Sequence, residues 1–239
     1  MVPDARRGYL GRPLDLARSG RQDQAMAWIS TPDETDPATD PAVRELYDAD
    51  RASLGFVRGY TQLFAHRPAV YAAWAQLNGA VKASMDLRTY ELATVAAARR
   101  LRSSYCCLAH GQVLVRRGML DEEGLRCAVA DEPTDQLSER DRAVMALADA
   151  VAAGAADMTE EHLAPLRALG MADDEILSVV LAAAARCFFS TVLDAVGALP
   201  DRDFLELPEP LRSALVVGRP IAGEPLDGRP EVSPPPAGQ

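Results

Sequence analysis

Lysine is almost missing from this chain. Of its 25 basic residues only Lys82 is a lysine, the rest being arginine, and the formal net charge is −10. The arginine bias reads as a habit of composition. With no dense basic cluster, nucleic acid is excluded as a partner. Aromatic residues are scarce at 5%. Apolar residues are otherwise plentiful, at 48%, and are dominated by alanine and leucine, which favours helices over sheets. No alternating strand pattern of any length occurs. No charge-free apolar run approaches the roughly twenty residues that span a bilayer, so no membrane association is expected. The first residues are rich in arginine and lack the apolar segment of a signal peptide. That predicts a cytoplasmic protein whose thiols are kept reduced. The three histidines and the four cysteines (Cys106, Cys107, Cys127 and Cys187) lack zinc-site spacing. Neither a metal nor a cofactor is expected.

The punctuation of what remains is helical. Asp40-Pro41 reads as a cap and first-turn proline for a helix to about Leu54. Arg67-Pro68 opens a second helix, through Trp74 and Leu77 to about Ser84. A third begins near Leu87 and carries Glu91. A break at Ser103-Ser104 separates it from a helix that Gly118 ends. A short helix follows at 121–130. Ser138 and Asp141 form a capping box for the next, which Gly154 terminates. Thr159 caps another, stopped by Gly170. The last runs from Asp173 to about Ala195, with Gly197 after it. It is apolar nearly all round, a pattern expected of a helix buried on every side, by its own domain or by a neighbouring subunit. Residues 1–25 read as a disordered segment or extension, and the absence of periodicity continues to about residue 37. The range 26–217 reads as one all-α domain, and 218–239 as an extended tail rich in proline and glycine. Trp28 and Trp74 read as packing anchors, His66 as a loop or cap residue, and His162 as lying on a solvent face.

Chemistry concentrates in residues 91–110, ELATVAAARRLRSSYCCLAH. Cys106 and His110 are four apart and so share a helix face. Ser103 or Ser104 is the natural N-cap, which places Cys106 in the first turn, where the helix dipole favours negative charge on the sulfur. A reactive cysteine needs such a setting and a base within reach. In an arbitrary helix the same pair more commonly reads as a small buried hydrophobe and a core histidine. Glu91 cannot reach Cys106 along one continuous helix, since fifteen residues span roughly 22 Å. The break must therefore fold two helices together, or else Glu91 is an exposed carboxylate near Arg99, Arg100 or Arg102. Cys107 is a poor disulfide partner for Cys106. Adjacent Cα atoms lie about 3.8 Å apart, whereas disulfides prefer about 4.4 Å or more. Cys127 and Cys187, on other helices, are read as core.

A glutamate followed twelve residues later by C-x-Y-C-x-x-x-H resembles the alkylhydroperoxidase D-like (AhpD-like) branch of the carboxymuconolactone decarboxylase family. Glu91, Tyr105, Cys106 and His110 fall on the family positions, while Ser103 stands where the first cysteine belongs. The resemblance implies an AhpD-like helical bundle that forms a homo-oligomer, a trimer or hexamer. It also implies a thiol-dependent reduction of a hydroperoxide or other small-molecule substrate, with Glu91 in a proton relay to His110 and Cys106. Without the first cysteine, the cycle would run on Cys106 alone and an external thiol reductant, with Ser103 hydrogen-bonding the sulfur. Two other readings are a lactone decarboxylase-like lyase that uses His110 as acid and base, and a catalytically silent oligomer that binds a ligand.

Overall fold

The computed structural model describes residues 27–224, and within them the chain is all helix, turn and loop. The principal helices are α1 (Pro41–Leu54), α2 (Gly59–Phe64), α3 (Pro68–Ala83), α4 (Leu87–Arg100) and α5 (Ser104–Arg116). They continue as α6 (Glu122–Ala130), α7 (Glu139–Gly154), α8 (Ala164–Ala168), α9 (Asp173–Ala195) and α10 (Glu209–Leu215). The caps are those the residue types dictate. Asp40 accepts from the Ala42 amide, Asp86 from Thr89 and Asp121 from Gly124, and Ser138 with Asp141 forms the reciprocal box.

Helix α4 is the axis of the bundle. Every residue from Thr89 to Ala98 is buried, and the helix packs against α5, α7 and α9. Its alanines (Ala93, Ala96, Ala97 and Ala98) let the neighbouring helices come close, and a polar residue so placed must find its partners inside the protein.

Four expectations change. Residues 27–39 are not disordered. Tyr47 Oη donates to the Pro32 carbonyl at 3.1 Å, and Arg44 ties down the carbonyls of Glu34 and Thr39. Trp28 is no anchor of the core: it is 72% exposed, with the Arg219 guanidinium 4.5 Å above its ring. The tail is folded at least as far as Glu224, because Ile221 and Ala222 are buried and the Ala222 amide donates to the Pro200 carbonyl. Helix α9 is not buried all round. Leu177, Leu181 and Phe188 form an exposed stripe, while Val179, Ala183, Arg186 and Leu193 face inward. By length and composition α9 could cross a membrane, but more than half of that stretch is buried in the bundle. Residues 1–26 and 225–239, including the remainder of the proposed extension and tail, lie outside the described residues.

Candidate active site

The turn between α4 and α5 makes the site. Arg102 takes a left-handed conformation (φ 57°), and the Ser103 amide reaches back to the Ala98 carbonyl at 2.9 Å. The chain therefore reverses within three residues and lays α5 against α4. Gly218, from the folded-back tail, closes over this turn. Its amide donates to Ser104 Oγ at 2.8 Å, and a Cβ at Gly218 would lie 2.0 Å from the Arg102 carbonyl oxygen.

Folding α5 onto α4 brings Glu91 to His110. Glu91 is 1% exposed, and His110 Nδ1 lies 2.5 Å from its Oε2. Lys82 Nζ, from α3, is 3.6 Å from the other carboxylate oxygen and 5.4 Å above the Tyr90 ring. The single lysine is thus part of the site and not merely a habit of composition. Burial acts to raise the Glu91 pKa, but the His110 hydrogen bond and the Lys82 charge outweigh it and hold the carboxyl below its usual range. Burial, joined by the Arg186 charge, pushes His110 down to about 4. At neutral pH the pair is a carboxylate and a neutral imidazole. A carboxylate only accepts, so Nδ1 carries the proton and Nε2 keeps its lone pair.

Cys106 lies in the first turn of α5 and is 1% exposed. Its hydrogen bond comes from neither His110 nor Ser103. Arg186 Nη1, from the middle of α9, donates to Cys106 Sγ at 3.3 Å. Arg186 is itself buried, at 4% exposure, and lies 5.4 Å over the Phe189 ring. The signal that could have found it is its isolation: between Glu175 and Asp194, Arg186 is the one charged residue in an apolar helix. Such a cation survives burial only with a partner. Ser103 is sealed, makes no capping bond, and faces the Asp194 carboxylate.

Tyr105 turns the other way and donates to Asp201, which also accepts from the Gly59 amide at 2.9 Å and from Arg58 at 3.4 Å. Burial raises the Asp201 pKa against these hydrogen bonds. Neither Asp201 nor Arg58 was legible as part of the site.

Cys106, His110, Glu91, Lys82 and Arg186 all line one cavity of about 400 Å³. Tyr60, Tyr71, Trp74, Tyr105 and Phe189 line it as well. Cys107 is fully sealed, and burial pushes its thiol well up. Cys127 is held on α6 among Glu123, Arg126 and Glu132, and its thiol is also raised by burial. All four cysteines are free thiols. Among the described residues no cluster of His, Cys, Asp and Glu could hold a metal ion.

Residues 68–134 match the carboxymuconolactone decarboxylase family. The matched range contains Lys82, Glu91, Cys106 and His110, and stops short of Arg186 and Asp201. Solved structures share the fold over most of the chain. A peroxidase-related protein of Ralstonia eutropha JMP134, with an alkylhydroperoxidase AhpD core, superposes with a TM-score of 0.66 at 20% identity, covering 77% of this chain and 98% of its own. A peroxidase-related protein of Silicibacter sp. TM1040 gives 0.65 at 17% identity, over 79% and 98% of the two chains. A variant of the debrominase Bmp8 in complex with 2,3,4-tribromopyrrole gives 0.59 at 16% identity, over 81% and 97%. At these identities the likeness shows the fold. No curated protein matches the chain in sequence.

Proposed function

We propose that this chain, whose residues 68–134 match the carboxymuconolactone decarboxylase family and which has the AhpD-like fold, is a cysteine-dependent hydroperoxide reductase. The observation that carries this reading is the buried Arg186 guanidinium, 3.3 Å from Cys106 Sγ, in the cavity that also holds the Glu91–His110 pair. His110 Nε2 takes the thiol proton, while Arg186 holds the resulting thiolate by a charge-assisted hydrogen bond. The sulfur attacks the terminal oxygen of the hydroperoxide. An S–O bond forms, the O–O bond breaks, and the leaving alkoxide takes the proton back from His110. Cys106 is left as a sulfenic acid. One external thiol converts it to a mixed disulfide with loss of water, and a second returns the free thiol. Burial disfavours the charged imidazolium, so His110 returns the proton readily to the leaving alkoxide.

This reading assigns the chain to a compartment that keeps thiols reduced, such as the cytoplasm. It also gives the exposed stripe on α9, with Val70 and Leu77 of α3, to a second copy of the chain in a homo-oligomer. The test is hydroperoxide consumption in the presence of dithiothreitol. Wild type should turn over and Cys106→Ser should not; equal consumption by the two would sink the reading. A second reading is dehalogenation of an aromatic ring at the same sulfur, favoured by the aromatic wall of the cavity and the fold shared with the debrominase Bmp8. Bromide release from a brominated pyrrole without hydroperoxide turnover would select it. A lyase that works through His110 alone would be indifferent to Cys106→Ser.

A further inference from the structure

The chain places its few aromatic side chains unevenly. It has 2 Trp, 6 Tyr and 5 Phe in 239 residues, yet Tyr60, Tyr71, Trp74, Tyr105 and Phe189 all line the cavity of Cys106. They form a continuous wall. Trp74 and Phe189 stack with centroids 5.2 Å apart and planes 22° apart, and Tyr60 meets Phe189 and Tyr105 edge-on at 5.5 and 5.7 Å. Offset and edge-on arrangements of this kind are those an additional ring can join.

A second observation comes from α3. Gly79 lies inside that helix and lines the cavity between Trp74 and Lys82. Glycine there costs the helix about 1 kcal/mol relative to alanine. Packing does not require it, since a Cβ at Gly79 would meet nothing within 4 Å. Gly79 is exposed, and its missing side chain leaves the cavity open along that edge. At about 400 Å³ the space falls in the range of roughly 300–1,000 Å³ typical of small-molecule sites. That is far more than the two oxygen atoms of hydrogen peroxide need. A third observation is that the Arg186 guanidinium lines the same cavity and donates to Cys106 Sγ at 3.3 Å, so a cation stands beside the sulfur that the peroxide must meet.

We infer that the substrate is an organic hydroperoxide carrying an aromatic ring, with the ring against the wall of Trp74, Tyr71 and Tyr60 and the peroxide directed to Cys106. Gly79 is the specificity-determining position. The inference rests on the hydroperoxide reductase reading. The ring takes no part in the chemistry: the sulfur loses two electrons to the O–O bond, and the aromatic alcohol leaves with the proton from His110.

The test separates binding from turnover. In a Trp28→Phe background, Trp74 is the only tryptophan and reports on the cavity. The full chain is titrated with 2-phenyl-2-propanol, the unreactive product of cumene hydroperoxide, and with its cyclohexyl analogue. The expected result is a saturable change in Trp74 emission, with the phenyl alcohol bound at least about tenfold more tightly than the analogue. Cumene hydroperoxide should likewise show a KM at least about tenfold below that of tert-butyl hydroperoxide. Gly79→Leu should cut the ratio of kcat/KM for cumene hydroperoxide over hydrogen peroxide by at least about tenfold. Equal binding of the phenyl and cyclohexyl alcohols, or an unchanged ratio in Gly79→Leu, overturns the inference while leaving the reductase reading standing. Saturable phenyl binding with no turnover of any hydroperoxide overturns the reductase reading, and with it the assignment of a hydroperoxide as the ligand.

Discussion

Helix α5 presents two faces that start from adjacent cysteines and have opposite fates. Cys106, Ala109, His110 and Val113 line the cavity. Cys107, Leu108, Gly111 and Leu114 enter the core, where a Cβ at Gly111 would lie 3.1 Å from Leu125 and Leu215. Both sulfurs belong to the same first turn and share its dipole. Cys107 nevertheless has its thiol pushed far up by burial, whereas Cys106 has an arginine on its sulfur and space in front of it. The helix N-terminus therefore does not distinguish them. What does is a cation brought by α9 and a void left by α3.

The sharpest way to break this comparison is to exchange the two fates. Cys106→Ser should lower hydroperoxide turnover by about three orders of magnitude or more, the scale of losing a nucleophile. Cys107→Ala should leave turnover within about twofold and cost about 1 kcal/mol of stability in urea denaturation. A second measurement addresses the neutral His110. Its folded pKa is about 4 against 6.5 in the unfolded chain. As pH falls below 6.5 the unfolded chain binds the proton first, so stability is complete above that value and is lost progressively down to about 4. The full shift is worth roughly 3 kcal/mol. The lowered Glu91 pKa adds to the loss as pH drops below about 4.5. His110→Gln should therefore lose less stability than wild type between pH about 7 and about 4.5, read as urea midpoints. An equal drop in both would remove the buried neutral imidazole from the account.

The contribution of α9 is tested by Arg186→Leu, which removes the cation and keeps much of the volume. Losing one charge-assisted hydrogen bond of about 1.5–3 kcal/mol predicts a ten- to hundredfold slower reaction of Cys106 with hydroperoxide. The turn that holds α5 in place is tested by Gly218→Ala. Its collision with the Arg102 carbonyl should cost about 2 kcal/mol in stability, with chemistry affected only through loss of the fold.

Much of the fold is legible from punctuation. The Asp40-Pro41, Arg67-Pro68 and Ser138/Asp141 signals each open a helix where expected, because caps and first-turn prolines act locally. Helix α2 has no side-chain cap, and α10 starts from Pro208 in a proline-rich stretch, so both escaped notice. Composition also misread the tail, since a few buried residues such as Ile221 are enough to pin a segment rich in glycine and proline. An apolar helix does not announce which of its faces meets solvent, so the exposed Leu177, Leu181 and Phe188 could not be separated from the buried Val179 and Leu193. At the site, the spacing of Glu91, Cys106 and His110 was readable because one helical turn and one chain reversal relate them. Lys82 and Arg186 reach the cavity, and Asp201 reaches Tyr105 on its wall, through tertiary packing from 3 other segments. The only traces in sequence were Lys82 as the sole lysine and Arg186 as the sole charge in the middle of α9; Asp201 left none.

The most direct measurement is a brief pulse of cumene hydroperoxide on the reduced wild-type chain, followed by dimedone trapping and peptide mass spectrometry of all four cysteines. The account predicts a sulfenic-acid adduct on Cys106 that grows with peroxide dose, while Cys107 stays unmodified. An unmodified Cys106, or an adduct spread equally over Cys106 and Cys107, would contradict it.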